Sequence, residues 1–123
     1  MLEIKKYGAI DIGSNAIRLL ISNVIVEKDK EPRFKKSSLV RVPIRLGADA
    51  FVNGVISEEN TKRMVEAIEA FKLLMNIHKV VRYKACATSA MREAENGNEI
   101  VDKIFKETGV KIDVIGGKEE AAI

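Results

Sequence analysis

Near the start of the chain an apolar run ends in an acid, and a glycine with two small polar residues follows at once: Ala9-Ile10-Asp11-Ile12-Gly13-Ser14-Asn15. Tyr7 to Ile12 predicts a buried strand bounded by the turn signal at Gly13. The next residues, Ala16 to Val26 (AIRLLISNVIV), are rich in Ile, Val and Leu and predict a second strand. Glu27 to Glu31 supplies a charged turn closed by Pro32. Phe34 to Leu46 alternates loosely, with Leu39, Val42 and Ile44 apolar, and predicts a half-buried third strand. Three strands joined by turns this short make an antiparallel meander.

Gly47 to Ile56, with two glycines and an asparagine, reads as a loop. Ser57 is then the expected N-cap of a long helix, with Glu58 and Glu59 in the first turn where the helix dipole favours acids. Met64, Ile68, Phe71 and Met75 recur at spacings that give it one apolar face as far as about Ile77. His78, at its C-terminal end, suits the dipole there and is given no chemistry. Val80 to Ala87 predicts a strand parallel to the first, because a helix crosses over between them. Thr88-Ser89-Ala90 opens a short helical turn through Arg92 and Ala94. Asn98 is the expected cap of a second helix through Thr108, with Ile100, Ile104 and Phe105 as its apolar stripe and Gly109 at C′. Val110 to Ile115 predicts a fifth strand, and Glu119 to Ile123 looks like the first turn of a further helix. The order β-β-β-α-β-α-β is an α/β mixed sheet with helices, the layout of a ribonuclease-H-like subdomain.

A chain of 123 residues is one domain, long enough to bury a real core. No apolar run approaches the roughly 20 residues of a membrane span. The first residues, Met1-Leu2-Glu3-Ile4-Lys5-Lys6, lack the apolar h-region of a signal peptide. Cys86 is the single cysteine, so no internal disulfide can form and a cytoplasmic setting is the expectation. The net charge of +3 suits anionic ligands without demanding them. Seven basic residues fall between Lys28 and Arg45, but acids interleave with part of the run and Phe34 is its lone aromatic. That pattern reads as a solvated hairpin, and nucleic acid is not an expected partner.

The chemistry gathers at the first turn. Asp11 at a strand end is an expensive carboxylate unless a cation, a water network or a basic partner meets it. Gly13 permits a tight turn, so that the amides of Ser14 and Asn15 can face a ligand. Such a loop suits phosphate held by backbone N–H groups, with the acid on Mg2+ or its waters. On these residues alone it reads equally well as an ordinary hairpin turn.

Four segments together resemble the N-terminal part of the exopolyphosphatase and guanosine-pentaphosphate phosphatase (Ppx/GppA) family, within the actin-like ATPase superfamily. Asp11 to Ala16 is similar to a D-I-G-S-N-S loop, and Arg45-Leu46-Gly47 to an R-L-G segment before the long helix. Ala87 to Asn96 (ATSAMREAEN) fits A-T-x-A-x-R-x-A-x-N, and Ile115 to Ala121 is similar to I-S-G-x-E-E-A-R. The last match departs in two places: Gly117 disturbs the Ser-Gly pair, and Ala122 stands where an arginine often follows. The resemblance implies a cleft between two ribonuclease-H-like domains in which a phosphoanhydride chain is hydrolysed from its end. It implies that Gly13, Ser14 and Asn15 bind phosphate, that Asp11 lies beside Mg2+, and that Thr88, Ser89 and Arg92 line the site. Glu120 would be the catalytic carboxylate that positions or deprotonates the attacking water. Inorganic polyphosphate and guanosine pentaphosphate (pppGpp) are the implied substrates, and a homodimer the implied full-length form.

Without the resemblance, Arg92 reads as a partner for Glu93 or Glu95, Ser89 as a cap, and Glu119 and Glu120 as first-turn acids. Other functions on such a fold are an ATP-binding kinase or ATPase, a nuclease, and a non-catalytic polyphosphate or nucleotide sensor. Kinase relatives tend to carry threonines or a lysine where this chain has Ser14-Asn15. A nuclease needs several acids converging on two metals, and here the strand acids thin out after Asp11. The family's second phosphate loop, of the D-x-G-G-G-S type, is absent from the 123 residues, which are therefore expected to be inactive alone and to belong with a second domain.

Overall fold

Alternation along the first strands sorts their side chains onto two faces, and the computed structural model, which describes residues 2–116 apart from the side chains of Lys36 and Ser37, shows which face is covered. Strands β1 (Leu2–Ile12), β2 (Ala16–Glu27) and β3 (Arg33–Pro43) form the expected antiparallel meander. Strand β4 (Arg82–Ala87) runs parallel to β1, and β5 (Asp113–Val114) parallel to β4. The sheet order is β3-β2-β1-β4-β5.

Between β3 and β4 lie α1 (Leu46–Ala48), a π-helical turn over Asp49–Asn53, and α2 (Glu58–Ile77). Between β4 and β5 lie α3 (Ser89–Glu93) and α4 (Gly97–Thr108). One buried cluster joins Ile10, Ile12 and Leu19 of the sheet to Ile68 and Phe71 of α2 and Ile104 of α4. Both long helices therefore cover the same face. The predicted stripe Met64, Ile68, Phe71 and Met75 is buried throughout. Ser57 caps α2 as expected, its hydroxyl accepting from the Asn60 amide at 3.1 Å.

The segment read as a loop from Gly47 is helical instead. Leu46 and Ala50, one helical turn apart, are both buried, and this anchoring outweighs the turn-forming composition. Gly54, in the left-handed region at φ 78°, ends the turn. The second crossover helix begins at Gly97, so the N-cap position falls to Asn96 and not Asn98. Asn96 makes no cap bond: its side chain donates to the Ile56 carbonyl and accepts from the Ile56 amide, both at 2.9 Å. Phe105, expected in the apolar stripe, is half exposed, while Ile100 and Ile104 are buried. Gly109 occupies C′ with φ 80° and donates to the Phe105 carbonyl at 2.8 Å. The fifth strand shrinks to two paired residues, although Val110 and Ile112 before it are buried in the core.

Candidate functional site

The tip of the β1–β2 hairpin is held from three directions. Within the loop, the Gly13 amide donates to the Ala16 carbonyl at 3.0 Å and closes the turn. From α1, the Gly47 amide donates to the Ser14 carbonyl at 2.8 Å. From α3, the Ser89 hydroxyl lies 3.1 Å from the Ser14 hydroxyl, across 75 residues of chain. The Thr88 amide donates to the Ile12 carbonyl at 3.2 Å, carrying the parallel β1–β4 pairing up to the loop. Three of the segments singled out by sequence (Asp11 to Ala16, Arg45 to Gly47, Ala87 to Asn96) therefore meet at one point. Leu46 is fully buried beneath it, and a Cβ at position 47 would come within 3.1 Å of the Ser14 Cβ. Gly13 lies outside the left-handed region. Its usefulness is room beside the Ala16 carbonyl, 3.4 Å from where a Cβ would sit, and not a conformation only glycine reaches.

Beside the hairpin tip is a cleft of about 240 Å³ lined by Gly13, Ser14, Asn15, Ala16, Arg18 and Arg41. Ser89 adjoins it through the Ser14 contact. Thr88 is the N-cap residue of α3, but its side chain makes no capping bond there. Strand register places Arg41, Arg18, Asp11 and Cys86 in one row across β3, β2, β1 and β4, on the face away from the helices. The partner that Asp11 required is Arg18, whose guanidinium donates to Oδ2.

Arg92 points elsewhere. Its Nη1 donates to the Ile115 carbonyl at 2.6 Å, and its Nε lies 3.9 Å from Glu93. It ties α3 to the segment that leads out of β5 and does not line the cleft. Glu120, with Gly117 and Ala122, lies outside the described residues.

Among the described residues no three His, Cys, Asp or Glu side chains come together as a metal cage. Mg2+ commonly keeps several waters and binds through one or two carboxylates plus substrate phosphates. Asp11, with one oxygen engaged by Arg18, fits such a shared ion and not a resident one. Asp49 has a displaced acidity: the Ser57 amide holds its carboxyl below the usual aspartate range, burial opposes this, and the Asn60 side chain adds a further lowering. Both bonds, at 2.9 Å, fasten the π-helical turn to the start of α2.

Sequence reasoning missed Arg18, Arg41 and the buttressing part played by Gly47. The signal for Arg18 was present in the hairpin itself, whose register sets it opposite Asp11. Arg41 needed the register of the second hairpin, which a bulge near Ile21 and Ser22 obscures.

Comparison with known proteins adds to this geometry. The model of the Ppx/GppA phosphatase family matches residues 24–123. A bifunctional 3-dehydroquinate synthase/phosphatase of Fusobacterium nucleatum is 35% identical over 94% of the chain and 18% of its own length. Exopolyphosphatase 1 of Mycobacterium bovis is 26% identical over 96% of the chain and 33% of its length. A guanosine-5'-triphosphate,3'-diphosphate pyrophosphatase of Photobacterium profundum is 28% identical over 95% of the chain and 22% of its length. Among solved structures, the family member of Aquifex aeolicus superposes with a TM-score of 0.85 at 28% identity, covering 96% of the chain and 37% of the other. An exopolyphosphatase of Cytophaga hutchinsonii gives 0.81 at 30% identity, covering 96% and 36%. The chain thus spans a third or less of the length of these curated relatives.

Proposed function

The chain belongs to the Ppx/GppA phosphatase family, and on that footing we propose that its full-length protein hydrolyses terminal phosphoanhydride bonds of inorganic polyphosphate or pppGpp, releasing orthophosphate. The observation that carries the reading is the meeting of Ser14 with Ser89 at the lip of the Gly13–Asn15 cleft. Two small hydroxyls and a closed turn, braced by Gly47, make a rigid and uncrowded edge against which a phosphoryl group can rest. Catalysis of this transfer consists mostly of positioning and charge stabilisation, so rigidity at that edge is what the chemistry needs.

Ser14, Asn15, Thr88 and Ser89 then orient the terminal phosphate. Asp11 keeps Arg18 directed along the sheet and offers its second oxygen to a shared ion. Mg2+, when bound, would neutralise charge on the phosphate oxygens. Arg92 positions, through the Ile115 carbonyl, the segment that continues to Glu120. Glu120 orients or deprotonates the attacking water, a role supported by the match of Glu119-Glu120-Ala121 to the family pattern. The 123 residues alone supply one wall of this site and should not turn over by themselves.

The test is orthophosphate release from long-chain polyphosphate and from pppGpp by the full-length protein with Mg2+, beside Glu120→Gln. The wild type should turn over and the variant should fall by about a hundredfold or more, the scale of losing a catalytic base. No release from either substrate by wild type would overturn the hydrolase reading. Full activity in the variant would remove Glu120 from it.

A further inference from the structure

Two arginines face each other across β2 and β3 with nothing between them to balance both charges. Arg18 and Arg41 are directly opposed in the ladder, and both line the cleft beside Gly13, Ser14 and Asn15. Like charges in that position weaken a sheet. Asp11 offsets one of them, through Arg18. Among the described residues no carboxylate pairs with Arg41, which is exposed near the end of the edge strand β3. A fold gains nothing from this arrangement. An anion with charge spread along its length gains a second anchor from it.

The geometry points to Arg41 as the residue that selects a phosphate chain over a single phosphate. The loop at Gly13–Asn15 takes one phosphoryl group, and the Arg41 guanidinium takes a later group of the same chain at the β3 edge of the cleft. Arg18, already held by Asp11, stands between the two and fixes the direction of the chain across the strands. The ligand class is a linear phosphoanhydride of three or more phosphates, recognised by charge and not by a base. This rests on the hydrolase reading above and names how its substrate is chosen.

The experiment is binding of orthophosphate, tripolyphosphate and long-chain polyphosphate to the full-length protein, as wild type, Arg41→Ala and Arg41→Glu, with phosphate release measured on the same preparations. Arg41→Ala should weaken tripolyphosphate and polyphosphate by about fivefold, while leaving orthophosphate within about twofold; the slope of log affinity against log salt should flatten by about one for the chains. Arg41→Glu should weaken the chains further. Neither variant should melt below wild type, since each removes half of a repulsive pair. Equal loss for orthophosphate and the chains, or chain binding unchanged in both variants while wild type releases phosphate, overturns the assignment of Arg41 and leaves the hydrolase reading standing. A wild type that neither binds nor hydrolyses any of these phosphates overturns both.

Discussion

Gly97 and Gly13 show how differently two glycines can matter. A Cβ at position 97 would lie 2.1 Å from the Met91 carbonyl oxygen, a main-chain atom that cannot swing away. At position 13 the nearest atom, the Ala16 carbonyl oxygen, is 3.4 Å off, an ordinary contact. Gly97→Ala should therefore destabilise the protein by about 2–4 kcal/mol, in the range of overpacking with forced backbone shifts. Gly13→Ala should cost less than about 1 kcal/mol. Thermal or urea melts of the two variants check both, and the reverse order of stabilities would mean that α3 and α4 can separate more easily than their contact suggests. Under the proposed function Gly13→Ala should weaken phosphate binding while its melt stays near wild type, which sets it apart from a glycine kept for packing.

The elements that position the site were unevenly legible in the sequence. The hairpin, α2 with its Ser57 cap, and the parallel return of β4 follow from local periodicity and capping chemistry, which act within a few residues. The helical segment after Gly47 did not, because what stabilises it is the burial of Leu46 and Ala50 and the clasp of Asp49 on Ser57 and Asn60. The place of Asn96 at the start of α4 was hidden for the same reason: its bond partner is Ile56, far away in sequence. In the site, Gly13, Ser14, Asn15 and Asp11 were visible as residue types, whereas Arg41 became visible only with strand register. The Asp49 clasp makes its own prediction. Since its carboxyl is held below the usual range, the unfolded chain takes up the proton first as pH falls. The clasp is thus at full strength above the ordinary aspartate range and is lost as pH drops through and below it. Asp49→Ala should be less stable than wild type by about 1 kcal/mol at pH 7, in line with loss of a helix-start acceptor. Urea melts should show the two converging toward pH 3.

At the scale of the whole molecule, one sheet face is packed by α2 and α4 while the row Arg41, Arg18, Asp11 and Cys86 lies on the other. No helix among the described residues is long and apolar enough to cross a membrane. The Ser14–Ser89 contact joins residues 75 apart in the chain, whereas Asp11 and Arg18 meet across a single tight turn. Closing the longer loop is entropically slower, and parallel pairing has to wait for the crossover. The meander should consequently assemble early, forming the cleft lining from Gly13 to Arg41 while the bracing contacts of Gly47 and Ser89 on Ser14 are still absent. Conservative truncation at Ile17 should slow refolding nearly in proportion to the stability lost, whereas truncation of Ile104 should mainly speed unfolding; equal effects on both limbs of the chevron at the two sites would contradict that order. For a growing polypeptide this means that the lining of the cleft emerges before anything can brace it, so its fixed shape arrives in a single late step.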